Sequence, residues 1–474
     1  MRNLRTQLPV AAVALVAALA VWAALATVRQ LAGAFSLALY LLASLAFFVD
    51  LVDLLVRLAI HRRQMAAGGR RPTWRLLASP TSVPLREAHL TPRQKRLHVK
   101  PWALVVSVYD AEDEIDDFLD RMEPFLDRLW AVDDASTDAT RLRLLDAGVR
   151  CLAGEVNRKK PGALRALLAT LPPDVATVVV LDPDVRIRDG GDPRGELETV
   201  LFDFQATGMA AVSPRMAVRE DGFLARFQGL EYAICCSFGR RTMGPDGTNS
   251  GVSIYRRDAL ATALAAHSLS VYAEDFENSL ILLAAGEEIY YDERLVFETD
   301  AKRTWRGWLS QRVGWSYGFL KVYKERLGEL RRIGRRRFMA AYHYLVYTGG
   351  VGLLLHPLRL AMAAVLAVSF ANGCDELLGL GALPDNAFTQ PGYFLAAYLK
   401  YAALVLLLLA VAVPRGERRW LLAAVPFYLF YQLAHVVAQS LGFANWISLR
   451  VAGRRVYRDH YQDEESLRRQ LREA

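Results

Sequence analysis

The chain has 474 residues, more than one compact soluble core holds, so at least two structural regions are expected. Hydrophobic residues make up 53% of it and charged residues 23%, which excludes a uniformly apolar chain and fits apolar spans joined to an ordinary globular domain. The net charge of +8 gathers beside apolar segments, at Arg62, Arg63, Arg70, Arg71 and Arg75 and again from Arg331 to Arg337. That is a positive-inside and lipid-headgroup pattern, so membrane lipids are expected as partners and nucleic acid is not. The four cysteines form no CxxC pair and have no histidine at ligand spacing, which supports neither a zinc site nor a disulfide framework.

Apolar runs from Leu8 to Val28 and from Leu31 to about Ile60 are each long enough to cross a bilayer. A cleaved signal peptide competes for the first run, but a second span follows at once, so residues 1–60 are read as a transmembrane hairpin. Arg2 and Arg5 before it and the basic juxtamembrane linker 61–99 after it put both ends in the cytosol.

Residues 100–300 alternate short β-branched runs with amphipathic stretches: ALVVSVYD, DEIDDFLDRMEPFLDRL, LWAVDDA, a helix over Asp138 to Ala147, VRCLAG, a helix over Pro161 to Thr170, and ATVVVLD. Strands alternating with helices predict an α/β domain with a doubly wound, mostly parallel sheet on the cytosolic side. Residues 301–337 read as interfacial amphipathic helices, 338–445 as C-terminal transmembrane helices and 446–474 as a basic tail. Three apolar stretches, Phe338 to Ala371, Tyr393 to Val413 and Trp420 to Phe443, would leave the tail outside, whereas its arginines place it inside; the count of spans is left at about five. The expected location is multi-pass in the plasma (inner) membrane.

Ligands of a doubly wound sheet bind at the carboxyl ends of its strands, and acidic residues stand there after three runs: Asp110, the pair Asp133 and Asp134, and the pair Asp182 and Asp184. Two carboxylates one residue apart can hold Mg2+ or Mn2+ against phosphate oxygens, or can simply cap a turn. Asp133 or Asp134 could accept hydrogen bonds from a nucleoside or cap the next helix. Lys160, before Pro161 and Gly162, can neutralise a diphosphate at a helix N-terminus, or belong to a solvated basic loop. Glu274 and Asp275 precede an amphipathic helix, where a carboxylate can act as a general base or favour the first helical turn. The aromatics of TWRGWLSQRVGWSYGF can form an interfacial belt or stack on sugar rings.

In this order and framed by apolar spans, these segments resemble the membrane-embedded family 2 glycosyltransferases with a GT-A fold: cellulose, chitin and hyaluronan synthases and their relatives. The resemblance implies that Tyr109, Asp110 and Glu112 form the first-strand donor motif, with Tyr109 against the uracil, and that Asp133 or Asp134 binds the nucleoside. It implies that Lys160 lies beside the diphosphate, that Asp182 and Asp184 hold Mg2+ or Mn2+ with Asp182 also on the donor side, and that Asp275, next to Glu274, is the catalytic base. Gln311 and Trp315 occupy the first and last places of a QxxRW motif on the acceptor side, and SGVSIYRRDAL puts Tyr255 and Arg256 by the acceptor pocket. Gly314 stands where that motif carries arginine, leaving a phosphate-facing cation to Arg312 or another arginine. The implied activity is inverting transfer from a nucleotide sugar, such as a UDP-sugar, extending a β-linked glycan that is threaded through the membrane. Single transfer to a lipid acceptor, and a catalytically silent scaffold or transporter, are the competing readings. Sugar, linkage and oligomeric state are not encoded in any of these motifs.

Overall fold

The structure, a computed structural model, describes residues 52–63, 90–188, 190–219, 222–270, 272–382 and 391–459. The expected N-terminal hairpin up to residue 51, most of the linker (64–89) and the end of the tail (460–474) lie outside the described residues.

Four apolar runs form the strands β1 (Trp102–Val108), β2 (Leu129–Asp133), β3 (Arg150–Ala153) and β4 (Thr177–Leu181). β4 is buried along its whole length, as expected of a strand covered on both faces. The crossover helix Glu112–Met122 buries Ile115, Phe118, Leu119 and Met122, a single stripe at helical spacing. The longer helix expected there ends at Met122, because Pro124 removes a backbone donor and the chain tightens into the 3-10 turn Glu123–Arg128. Thr140–Asp146 connects β2 to β3, and Lys159–Thr170 connects β3 to β4.

Strands β5 (Val185–Ile187), β6 (Ala211–Val218), β7 (Ser253–Arg256) and β8 (Ile289–Thr299) complete one sheet in the order β3-β2-β1-β4-β7-β6-β8-β5. The half β3-β2-β1-β4 is parallel, as expected. The other half departs from a mostly parallel sheet: β7 runs antiparallel to both β4 and β6, and β5 runs antiparallel to β8. The regular strand-helix alternation stops after β4, and several helical segments intervene between β6 and β7, so β7 returns in the opposite direction. The β6–β8 ladder shifts register at Pro214, which cannot donate to it.

Two apolar layers cover the sheet. Leu164, Leu167, Leu260 and Leu280, from the helices Lys159–Thr170, Arg257–Ala266 and Glu274–Ala285, pack with Val105 and Val180 on one face. Phe118, Leu197 and Leu201 pack with Leu104 and Val179 on the other. One geometric result matters for function. The carboxyl ends of β1 to β4 share one edge, and the start of the reversed β7 meets them there, with Ser253 opposite Val180.

Beyond the sheet, Trp305–Glu325 and Leu327–Arg336 lead to a π-helical segment, Ala341–Leu354, and to His356–Leu378, Pro391–Ala412, Arg415–Leu422 and Tyr428–Ala452. The apolar stretch from Phe338 to Ala371 is therefore divided near Leu355, ahead of Pro357. Among the described residues, His356–Leu378 and Phe394–Val411 are long and apolar enough to cross a membrane, and a pair bent by 51°, Arg415–Leu422 with Val425–Ala452, would make a third. The last helix runs past residue 446 to Ala452, and the chain then folds back: Asn445 accepts the amides of Val456 and Tyr457, each at 2.9 Å.

The last helix meets Trp305–Glu325 at Gly442, where a Cβ would lie 2.6 Å from Ser316 Cβ and 3.1 Å from Tyr317 N. Backbone cannot yield as a long side chain can, so Gly442→Val is expected to force the two helices apart at a cost of about 1–3 kcal/mol. A thermal melt of the detergent-solubilised variant should fall by several degrees; an unchanged midpoint would show that this contact does not hold the helices.

Candidate functional site

Lys160 is the second residue of the helix after β3, and Lys159, which opens that helix, adopts a left-handed backbone (φ 63°) that swings the chain into it. The Lys160 ammonium lies 2.5 Å from Asp182 Oδ1 and 3.0 Å from Glu274 Oε1. It thus joins the end of β4 to the start of the helix Glu274–Ala285, across the edge where the parallel strands terminate. Leu164, Ser250, Tyr255, Asp275 and Asn278 line a small cavity with it.

Asp275 is held by its own helix, its Oδ1 accepting the Phe276 amide at 2.8 Å. Burial and the neighbouring Glu274 raise its carboxyl to about 6, against the pull of Arg240 and Lys160. Asp182 is likewise raised to about 6, by burial first and then by Asp184 and Glu274, with Lys160 opposing. Ser279 fastens the neighbouring loop: its hydroxyl donates to Asp275 O at 2.7 Å and accepts the Asn249 amide at 2.8 Å. Two residues on, Gly251 presses so closely on Asp182 that a Cβ there would lie 2.1 Å from Oδ2.

Asp184 accepts the Thr299 hydroxyl at 3.1 Å, from the end of β8. Among the described residues no three His, Cys, Asp or Glu side chains converge on a metal position. Asp182 and Asp184 fit Mg2+ or Mn2+ by chemistry, as hard oxygen donors, and the clearance kept by Gly251 leaves Oδ2 of Asp182 uncovered by a side chain. Two carboxylates make a partial site, whose other ligands would be phosphate oxygens and water.

The residues expected on the donor side divide by their contacts. Asp110 (φ 44°) accepts the Thr137 amide at 2.7 Å, and Glu112 accepts the Ala139 amide at 3.3 Å and an Arg143 N–H at 3.1 Å. Both therefore tie the loop after β1 to the loop after β2. Tyr109 is 46% exposed, and the Lys159 ammonium stands 6.0 Å from its ring centre. Asp133 and Asp134 are buried, the first accepting the Ser136 amide at 3.2 Å and the second the Arg158 amide at 2.8 Å. Burial raises the Asp134 carboxyl above its ordinary range.

The residues expected on the acceptor side do not all meet. Tyr255 reaches the cavity, and burial pushes its hydroxyl up. Arg256 sits at the far end of β7 opposite Thr177, paired with Glu287 at 2.8 Å and Asp258 at 2.6 Å, and is not brought to the site. Gln311, Arg312 and Trp315 form a second cluster. Buried Arg312 holds Glu231 through two contacts of 3.2 and 2.7 Å, donates to Gln311, and lies 4.0 Å from the Trp315 ring centre. Tyr431, from the last helix, donates to Glu231 at 2.5 Å and accepts from Trp308 at 2.8 Å. Although partial burial of Glu231 opposes it, Arg312 holds its carboxyl well below the usual range. Tyr232 lies within electrostatic reach of both Arg312 and Asp184. Glu231, Tyr431 and Thr299 escape sequence reasoning because each comes from a distant segment with no motif around it, and Ser279, four residues after Asp275, because its partner Asn249 is far away in the chain. Gly251 had a signal, as a glycine directly ahead of a strand.

No family model matches the chain, and no curated protein matches it. Among solved structures it is similar to a mannosyltransferase from Pyrobaculum calidifontis in complex with GDP-Man and Mn2+, at 17% identity over 84% of this chain and 99% of that one, with a TM-score of 0.47. It is also similar to glucosyl-3-phosphoglycerate synthase from Mycobacterium tuberculosis in complex with Mn2+, UDP and glucosyl-3-phosphoglycerate, at 17% identity over 49% of this chain and 84% of that one, with a TM-score of 0.32.

Gly251→Ala is expected to push the Asp182 carboxylate out of place and weaken Mn2+ binding at least about tenfold by calorimetry, the loss expected when one of two protein ligands is misaligned. Unchanged Mn2+ affinity would remove Asp182 from the metal site.

Proposed function

We propose that the chain is an inverting glycosyltransferase of GT-A type, which takes sugar from a nucleotide-sugar donor and uses Mg2+ or Mn2+. One observation carries the reading: Lys160 is clamped between Asp182 and Glu274, so segments far apart in the chain meet where the parallel strands end. The donor diphosphate would lie against Lys160 and the β4 edge. Bound there, the metal ion supplies charge neutralisation for the leaving diphosphate.

The remaining chemistry belongs to the chain. Asp275 accepts the proton of an acceptor hydroxyl as that oxygen attacks the anomeric carbon and the bond to the diphosphate breaks, so an α-linked donor gives a β-linked product. A carboxyl raised to about 6 suits this role, being basic enough to accept a proton and still ionised at neutral pH. Lys160 shifts from Asp182 and Glu274 toward the phosphate oxygens when donor is present. Tyr109, with Lys159 near its ring, offers a stacking surface for a base.

The apolar helices and flanking arginines support a multi-pass protein of the plasma membrane with this domain in the cytosol. A polysaccharide synthase extends its product through such helices. A single transfer to a lipid-borne acceptor is favoured by one observation: Arg312, the nearest replacement for the arginine missing at Gly314, is already neutralised by Glu231. The size of the product separates the two.

Asp275→Asn is expected to lower transfer by about two to four powers of ten while leaving nucleotide affinity in place. In the unaltered protein kcat/KM should rise with pH and level off above about 6, since only the ionised Asp275 accepts a proton. Full activity of Asp275→Asn in a donor-release assay would exclude Asp275 as the base.

A further inference from the structure

The cavity beside Asp275 contains more hydrogen-bonding capacity than the protein satisfies. Asn278 stands one helical turn beyond Asp275 on the same helix and lines the same cavity. Asn278 is 6% exposed, and among the described residues its Oδ1 has no hydrogen-bond partner. Next to it, Ser279 anchors the backbone of Asn249, a second buried amide (1% exposed) in which, among the described residues, neither Oδ1 nor Nδ2 is partnered. Buried amides are almost always satisfied, and an orphaned one costs about 1–3 kcal/mol. Of the two, Asn278 lines the cavity that also holds Asp275, which places its unsatisfied amide where a ligand can satisfy it.

The chemistry of that ligand follows from charge. The charged side chains lining this cavity are Lys160, Glu274 and Asp275, and Lys160 is already engaged by Glu274 and Asp182, so two carboxylates and no uncommitted cation face an incoming acceptor, and an anionic one is disfavoured. A neutral amide offers both a donor and an acceptor, which matches a hydroxyl or a vicinal diol. We propose that Asn278 is a specificity-determining residue that binds the hydroxyl adjacent to the attacking one, and that the acceptor is therefore a neutral sugar, free or on a glycolipid, rather than a lipid phosphate. This rests on the glycosyl-transfer reading. Asp275 takes the proton of the attacking hydroxyl while Asn278 fixes the ring that carries it.

The test uses the full chain in detergent or nanodiscs with three acceptors: a neutral β-linked tetrasaccharide, a glycolipid ending in a hexose, and a polyprenyl monophosphate. Asn278→Leu should raise the KM of at least one sugar acceptor tenfold or more, change its kcat less, and leave nucleotide affinity by calorimetry within twofold. Asn278→Asp, of nearly the same size, serves if the leucine variant does not fold, and should raise the same KM. Use of the polyprenyl phosphate in preference to both sugars, or a sugar KM unchanged in either folded variant, would overturn the proposal. The glycosyl-transfer reading fails separately, if the unaltered chain releases no nucleotide with any acceptor.

Discussion

The ammonium of Lys160 between Asp182 and Glu274 is the constraint on which the rest of the site depends. Without that cation, three carboxylates would face one another at the rim of a buried cavity, and the raised Asp182 and Asp275 show how strongly their surroundings already resist ionisation. Removing one partner of such an arrangement leaves uncompensated charge, which costs more than the pair itself contributes. The lysine therefore holds the site together, and in the proposed reaction it exchanges its carboxylate partners for phosphate oxygens. The left-handed turn at Lys159 and the clearance at Gly251 both serve that placement.

Around this centre the fold works by convergence. Parallel strands put the ends of β1, β2 and β4 on one edge, and reversal of β7 brings Ser250 and Gly251 to the same place. Ser279 then locks that loop to the helix of Asp275. A second cluster, Glu231 with Arg312, Trp308 and Tyr431, joins the globular part to the last helix.

Much of this was legible in the sequence where a local rule applied. Apolar runs followed by acidic residues located β1, β2 and β4 and their terminal carboxylates. Lys160 and the Glu274–Asp275 pair were legible as helix openings, but no local rule says that they touch; that depends on the crossover packing. The mixed half, where β6 and β8 are parallel but β7 and β5 are reversed, was not legible. β5 is three residues long, β6 contains a proline, and β7 is set by its neighbours rather than by its own pattern. The YRR segment misled for Arg256, because successive strand residues point to opposite faces and only Tyr255 reaches the cavity. The pairing of Arg312 with Glu231 joins residues far apart in the chain and has no signature in either segment.

In the proposed reaction this cluster cleaves the bond between a sugar and a nucleoside diphosphate with a divalent ion bound. The most direct measurement is release of nucleoside diphosphate by purified full-length protein across a panel of labelled nucleotide sugars, with Mn2+ and then with excess chelator. The account predicts release from at least one donor, abolished by the chelator and restored by Mn2+. No release from any donor by folded protein in the presence of acceptors and Mn2+ would contradict it.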